Sequence, residues 1–408
     1  MNLQKITRLV FIAILLLTNN SYAQDLSKPG NPINDQNVNQ AVTTMLPAES
    51  DFMMVGLVTF GWINQKQTFG GVSTKQNSIG DADRYEFSPM FLWRHGDKLL
   101  AEFEPSWNGY QLGVNWADVA YFVKPGLIIK GGYLVLPFGT YTKRLAAGWI
   151  NKLTSDPMGV DMAGSDFGIE VEGGLPLGNM KWSYDVSLTN GYQLNNDGTI
   201  GNLGIGLNPG ITNNDGKTFC GRLALLPLSN SSLELGFSYL YGSMAKPAGA
   251  SFTNINATDT KGPSVSMMAA DLNFVHNVNP VQINIKAQYS ATMVSDEKYF
   301  DSTALAQYTF TNTTSTLFGQ LSLRPSKSNN KILKNLELAM RYVDYTAPKN
   351  SGFGQSYNEM DVCLDYWLSW RTVLKLGYEN IKSDGYSFGA STGSATTNNL
   401  IIQFSTEF

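Results

Sequence analysis

Leu400-Ile401-Ile402-Gln403-Phe404-Ser405-Thr406-Glu407-Phe408 alternates without a break, with Leu400, Ile402, Phe404, Thr406 and Phe408 in one phase and Ile401, Gln403, Ser405 and Glu407 in the other. Successive side chains of an extended strand point to opposite faces, so a period of two marks a strand with one face in an apolar medium. The same period recurs upstream. Lys181, Ser183, Asp185, Ser187 and Thr189 interleave with Trp182, Tyr184, Val186 and Leu188, and Gln282, Asn284, Lys286 and Gln288 interleave with Val281, Ile283, Ile285, Ala287 and Tyr289. A half-buried strand of a soluble sheet alternates in the same way, so the phase alone does not say what the apolar face meets.

The contents of the two phases decide it. Near the strand ends the apolar phase carries aromatic pairs: Tyr85 and Trp93, Phe103 and Trp107, Tyr110 and Trp116, Phe237 and Tyr241, Tyr366 and Trp370. Charges fall in the opposite phase, among them Arg84, Glu102, Glu104, Lys130, Glu170, Glu172, Arg222, Glu234, Lys286, Glu337, Arg341, Asp361, Asp365, Lys375 and Glu379. Aromatic girdles outside and a polar interior describe a transmembrane β-barrel. A soluble sandwich has no need to repeat paired aromatics along nearly every strand.

Residues 1–23 read as a secretory signal, with Lys5 and Arg8 before the apolar run Leu9 to Leu17 and a small-residue cleavage site at Ser21-Tyr22-Ala23. That run is too short to span a bilayer, which takes about 20 residues as a helix. Residues 24–51 are polar, contain Pro29, Pro32 and Pro47, and read as a flexible periplasmic lead-in; 52–408 form one β-barrel domain. Without Lys5 and Arg8 the chain holds 27 basic and 33 acidic residues, a net of −6, which argues against a nucleic-acid partner. Cys220 and Cys363 are too few for a disulfide framework and read as small packed side chains in the inward phase.

Connections alternate long and short. The long ones are 65–82, 136–166, 191–216, 245–263, 292–314, 346–357 and 382–398, and tight turns such as His95-Gly96-Asp97, Lys124-Pro125-Gly126 and Ser229-Asn230-Ser231 lie between them. Bacterial barrels have short periplasmic turns and long outer loops. Two connections fit less well: Trp107-Asn108-Gly109 is short for an outer loop, and Pro325 to Lys334 is long for a turn. The expectation is an all-β transmembrane antiparallel barrel of about 16 strands, with 18 open because Ala304 to Thr311 could add a hairpin.

The third outer loop, 136–166, stands apart. A connection of roughly thirty residues is usually functional or disordered. This one carries Phe138, Tyr141, Leu145, Trp149, Ile150, Leu153 and Met158 together with Lys143, Arg144 and Lys152. Enough apolar surface to pack, mixed with cations, predicts a loop folded into the lumen, with a pore constriction at Tyr141, Lys143, Arg144, Trp149 and Lys152. The alternative is an ordered surface loop. Lumen charge is assigned to Arg84, Glu102, Glu104, Lys130, Glu170, Arg222 and Arg341. Three cations at a narrow mouth predict mild anion preference, unless they form salt bridges to wall carboxylates such as Glu102 or Glu170.

Gly131-Gly132-Tyr133-Leu134-Val135-Leu136-Pro137-Phe138-Gly139, Leu336-Glu337-Leu338-Ala339-Met340-Arg341-Tyr342 and the tail Asn398 to Phe408 resemble the phosphate-selective porin O/P family, in order and local pattern along most of 52–408. The tail also resembles the C-terminal signature read by the outer-membrane insertion machinery. The resemblance implies a sixteen-stranded barrel, usually a homotrimer, in the outer membrane of a Gram-negative bacterium, with its third loop inside. Partners would then be outer-membrane lipid and small hydrophilic solutes, including anions such as phosphate. Phosphate selectivity in that family rests on a ladder of arginines and a lysine cluster, whereas the lumen phase here mixes signs.

Nothing in the sequence suggests an enzyme, a cofactor or a metal. His95 lies in a predicted turn and His276 at a strand end, and neither has a nearby serine or carboxylate at triad spacing. No Cys/His cluster is present, and Gly70-Gly71 and Gly131-Gly132 are lone pairs, weak as phosphate loops. The i, i+2 pairs Glu102/Glu104 and Glu170/Glu172 invite a glycosidase reading, but a water-filled lumen accounts for them. The functional alternatives are a diffusion channel, a non-transporting barrel acting as an adhesin or surface-binding protein, and, more remotely, a soluble exported β-protein.

Overall fold

The computed structural model describes residues 50–80, 85–140, 150–157, 163–194, 205–207, 217–243, 264–295, 299–301, 306–308, 311–348, 356–388 and 391–408. Strands run in chain order as β1 (Ser50–Phe69), β2 (Val72–Ile79), β3 (Tyr85–His95), β4 (Leu99–Trp107), β5 (Leu112–Lys124), β6 (Leu127–Val135), β7 (Ser165–Leu177) and β8 (Met180–Thr189). Next come β9 (Tyr192–Leu194), β10 (Ile205–Leu207), β11 (Thr218–Leu226), β12 (Leu233–Ser243), β13 (Ser264–Val278) and β14 (Val281–Val294). The last are β15 (Tyr299–Asp301), β16 (Ala306–Tyr308), β17 (Thr313–Arg324), β18 (Leu336–Thr346), β19 (Ser356–Trp367), β20 (Thr372–Phe388) and β21 (Ser391–Glu407).

Sixteen of these close an antiparallel barrel. Closure comes from β1, which pairs with β3 from Ser50↔His95 to Phe60↔Tyr85 and with β21 from Leu57↔Glu407 to Phe69↔Ala395. The ladder returns to its start, so the sixteen-stranded wall itself has no open edge. The extra strand, β2, continues the line of β3 and pairs with β1 from Trp62↔Ile79 to Phe69↔Val72. The hairpin β15–β16 forms a sheet of its own and adds nothing to the barrel, which settles the count at 16 rather than 18.

Two expected loops are largely strand. Residues 65–82 hold the ends of a β1–β2 hairpin turning at Gly70 and Gly71, both at positive φ (55° and 81°), as a type I′ turn requires. That backbone need accounts for the glycine pair. Residues 382–398 are mostly the upper β20–β21 hairpin, with a register shift between Ser383 and Tyr386. Both stretches are polar in each phase, so no hydrophobic alternation betrays them. The long Pro325 to Lys334 connection leads into a 3-10 turn, Leu333–Asn335. The short Asn108 connection is an Asx turn in which Asn108 Oδ1 accepts from the backbone N–H groups of Tyr110 and Gln111.

Burial runs opposite to that of a soluble protein. On β12, Phe237 is 55% exposed while its neighbour Ser238 is 0% exposed. On β20, Leu374, Leu376 and Tyr378 face outward while Lys375 and Glu379 are buried. Phe103, Trp107, Tyr241 and Trp370 also lie in the exposed belt, where a transmembrane barrel meets lipid. The apolar clusters are not sandwiched between sheets; they lie inside the barrel, where the 136–166 loop meets the wall.

Candidate functional site in the lumen

The loop that leaves β6 enters the lumen and touches the wall at two footings. The first is shallow. Leu136 and Phe138 pack with Cys220, Leu240, Val265, Met267, Ala269 and Val294, on wall strands β11 to β14 close to their loop ends. Gly139 N donates to Ser238 Oγ (3.0 Å) and Thr140 N to Gln288 Oε1 (2.9 Å). Gly139 sits at φ +66°, and a Cβ there would run into the Gln288 amide. Only glycine lets the chain turn this close to the wall.

The second footing is deep and polar. Ile150 packs on Phe318 and Val343, and Leu153 on Ala339 and Cys363. Lys375 Nζ, on a side chain 1% exposed, donates to the Asn151 carbonyl (2.6 Å) and the Leu153 carbonyl (2.9 Å). Arg341 donates to Ser155 O and Ser155 Oγ (2.8 Å each). Thr154 Oγ1 donates to Glu379 (3.2 Å) and Gln403 Nε2 reaches Thr154 O (3.5 Å). Gly377, in the same phase as Lys375 and Glu379, clears the space that Thr154 enters; a Cβ there would meet Thr154 Oγ1. Asn151 folds the segment on itself, donating to Ser155 O and Asp156 Oδ1 while its own Oδ1 accepts from Leu153 N. At the loop's base, Tyr192 OH donates to Ala163 O, and Asp166 accepts from Gly191 N (2.6 Å).

Both footings join residues 83 to 249 positions apart and rest on inward-facing wall side chains, so the described segments 136–140 and 150–157 have the internal placement expected from the sequence rather than that of a surface loop. The five expected constriction residues fare differently. Tyr141, Lys143, Arg144 and Trp149 lie outside the described residues, as does Arg84 of the expected lumen charges. Lys152 is described. It pairs with Glu337 (3.4 Å), the second residue of β18, and stacks on Trp367 (4.1 Å to the ring centroid), near the short-turn end. Its partner is a wall carboxylate, though neither Glu102 nor Glu170. Trp367 Nε1 donates to Glu337 as well (2.8 Å). Trp367 occupies the charge phase of β19, with Asp361 and Asp365, and that was the one sequence signal of an inward tryptophan.

Two arginines of the wall are clamped by acids. Arg222 lies between Glu234 (2.9 Å) and Asp271 (2.6 Å), and Arg341 between Glu359 and Asp361 (2.8 Å each). A buried guanidinium held this way contributes little free field, because each charge ends on its neighbours. The wall from β3 to β7 is less covered. Glu86, Glu102, Glu172 and Lys130 are half-buried there, and Glu104, Asp118 and Glu170 are buried. Lys130 pairs with Glu172 (3.0 Å), and Asn115 donates to Glu104 (2.8 Å). Glu170, Glu172 and Asp185 bring oxygens within 4.8 Å of one another. Asp156, exposed on the loop, lies in electrostatic range of Glu86.

Of the two histidines, His276 stacks on Phe274. His95 hydrogen-bonds Ser50 Oγ through Nδ1 (2.6 Å), a serine that strand pairing, not sequence spacing, brings beside it. The pair is an exposed rung of the β1–β3 ladder.

No family model matches the chain, and no curated protein matches it. Among solved structures, the anion-selective porin from Comamonas acidovorans is 13% identical with a TM-score of 0.52, over 88% of this chain and 100% of that one. The outer membrane channel DcaP of Acinetobacter baumannii is 13% identical with a TM-score of 0.55, over 88% and 98%. OmpF of Salmonella typhi, in complex with daunomycin, is 12% identical with a TM-score of 0.51, over 88% and 99%. Likeness at these identities shows a shared barrel fold.

Proposed function

We propose that this chain is an outer-membrane porin through which small hydrophilic solutes diffuse passively. The observation that carries the proposal is the loop itself: a polar lumen surrounded by an apolar outer belt, with a segment of the 136–166 connection pinned across it at two depths. An adhesin has no use for an internal segment so extensively tied to its own wall. An anion-selective porin, an outer membrane channel and OmpF, from three organisms, share the fold, and the motifs resembling the phosphate-selective porin O/P family agree in class. Residues 1–23 would serve as the export signal, 24–51 as a periplasmic lead-in, and a homotrimer is the assembly that resemblance implies.

Charge preference is where the wall argues against the loop. Lys152 is engaged by Glu337 and Trp367, Arg222 and Arg341 are each clamped by two carboxylates, and an arginine ladder of the phosphate-selective kind has no counterpart among the described residues. The less covered wall presents mainly carboxylates, which focus a cation-attracting field in a narrow passage. We therefore propose a lean towards cations, with Lys143 and Arg144 as the groups that oppose it.

Reconstitution into a planar bilayer tests both levels. Discrete conductance steps are expected, and deletion of Tyr141 to Ser155 should enlarge them. Absence of steps from correctly folded protein rejects the channel, and an unchanged step size after the deletion takes the loop out of the conducting path. Under a salt gradient the reversal potential should carry the cation sign; the anion sign would hand the field to Lys143 and Arg144.

A further inference from the structure

We propose that Lys375 and Arg341 are positioning residues that hold Asn151 to Ser155 against the far wall, and that this hold, rather than the bulk of the loop, sets the width of the passage. The second footing offers residues 151–155 little apolar attachment: Leu153 on Ala339 and Cys363. What fixes their backbone is cationic. Two carbonyls of the loop end on one buried ammonium, and the Ser155 carbonyl and hydroxyl end on one buried guanidinium. A carbonyl taken from water must find a donor, so a segment docked this deep without those donors would leave the Asn151 and Leu153 carbonyls unmet and the Ser155 carbonyl with the Asn151 amide alone. With either cation blunted, the footing gives way to water while the apolar first footing stays in place. The proposal rests on the channel reading for its conductance arm only.

The molecule carries its own reporters. Cys363 is covered by Leu153 at the second footing, and Cys220 lies beneath Pro137 at the first; neither is in a disulfide, and they are 1% and 0% exposed. The full-length protein, folded in detergent micelles, is treated with a small methanethiosulfonate reagent, and labelling at each cysteine is followed by mass spectrometry. In Lys375→Met, which loses two charge-assisted hydrogen bonds to the loop, Cys363 should label at least about tenfold faster, the change that loss of one such bond gives, with Cys220 as slow as in the parent. Arg341→Lys keeps a cation between Glu359 and Asp361 but lacks the second arm that reaches Ser155, so it should act in the same direction without emptying the wall of charge. Lys375→Arg should restore slow labelling. In bilayers both weakening variants should raise the conductance step. Equal labelling of Cys363 in parent and variants, parallel exposure of both cysteines, or a step size unmoved by a selectively exposed Cys363 would each overturn the proposal. A parent protein that does not conduct at all defeats the channel reading instead, and leaves the labelling to decide whether the cations hold the loop.

Discussion

The two footings of the lumen loop solve the same problem with opposite chemistry. At the first, Leu136 and Phe138 bury apolar surface against the valine, methionine and leucine side chains of β12 to β14, and two backbone N–H groups find uncharged acceptors in Ser238 and Gln288. At the second, carbonyls meet Lys375 and Arg341 among Asp365, Glu359, Asp361 and Glu379, deep in the barrel. Hydrophobic contact is non-directional and stabilises without fixing a backbone path. Charge-assisted hydrogen bonds are directional, and fix a path at a net stability much smaller than their strength. The first footing therefore anchors the loop, and the second shapes it.

The largest expected effect lies in the wall, away from either footing. Arg222→Met leaves Glu234 and Asp271 facing each other without their cation, and should cost about 3–5 kcal/mol. Urea unfolding in lipid vesicles followed by tryptophan fluorescence measures it, and a conductance step that persists would separate wall stability from loop shape. Phe138→Ala comes next. Truncating this buried ring should lower stability by about 3–4 kcal/mol and loosen both footings together, since Phe138 lies in the one apolar cluster that holds both Leu136 and Ala163 of the loop. A loss confined to Cys220 exposure would mean that the deep footing stands alone.

Gly377→Ala tests space rather than charge. The added methyl meets Thr154 Oγ1, so Thr154 must withdraw from Glu379, at a cost of about 1–3 kcal/mol, with Cys363 labelling raised and the unfolding curve little moved beyond that. The smallest effect is Ser238→Ala, which removes one neutral acceptor from the first footing and should cost about 1 kcal/mol. An effect as large as that of Phe138→Ala would show that the first footing, too, depends on a directional bond.

How much of this was visible beforehand differs between wall and lumen. A period of two in the hydrophobicity fixes which side chains share a face, and aromatics at the ends of the apolar phase say that this face meets lipid. On those grounds alone the chain reads as a membrane barrel with Arg222, Arg341 and Glu170 pointing inward, and all three do so. The strand count was open by one hairpin, and two polar hairpins passed for loops, because alternation is readable only where one face is apolar. The length and the aromatic-cationic make-up of 136–166 announced a loop built to pack.

Which wall it packs on belongs to the tertiary structure. Lys152 finds Glu337 across 185 positions and Lys375 finds Asn151 across 224, and no local pattern carries such distances. Barrel closure decides them: once β1 joins β21, the strands from β11 to β21 face the loop, and each inward charge is met by whatever the registers set beside it. A sequence can assign a side chain to the lumen because alternation is a property of one strand. It cannot say whether the charge is free or taken, because that is a property of the sixteen strands and the loop together.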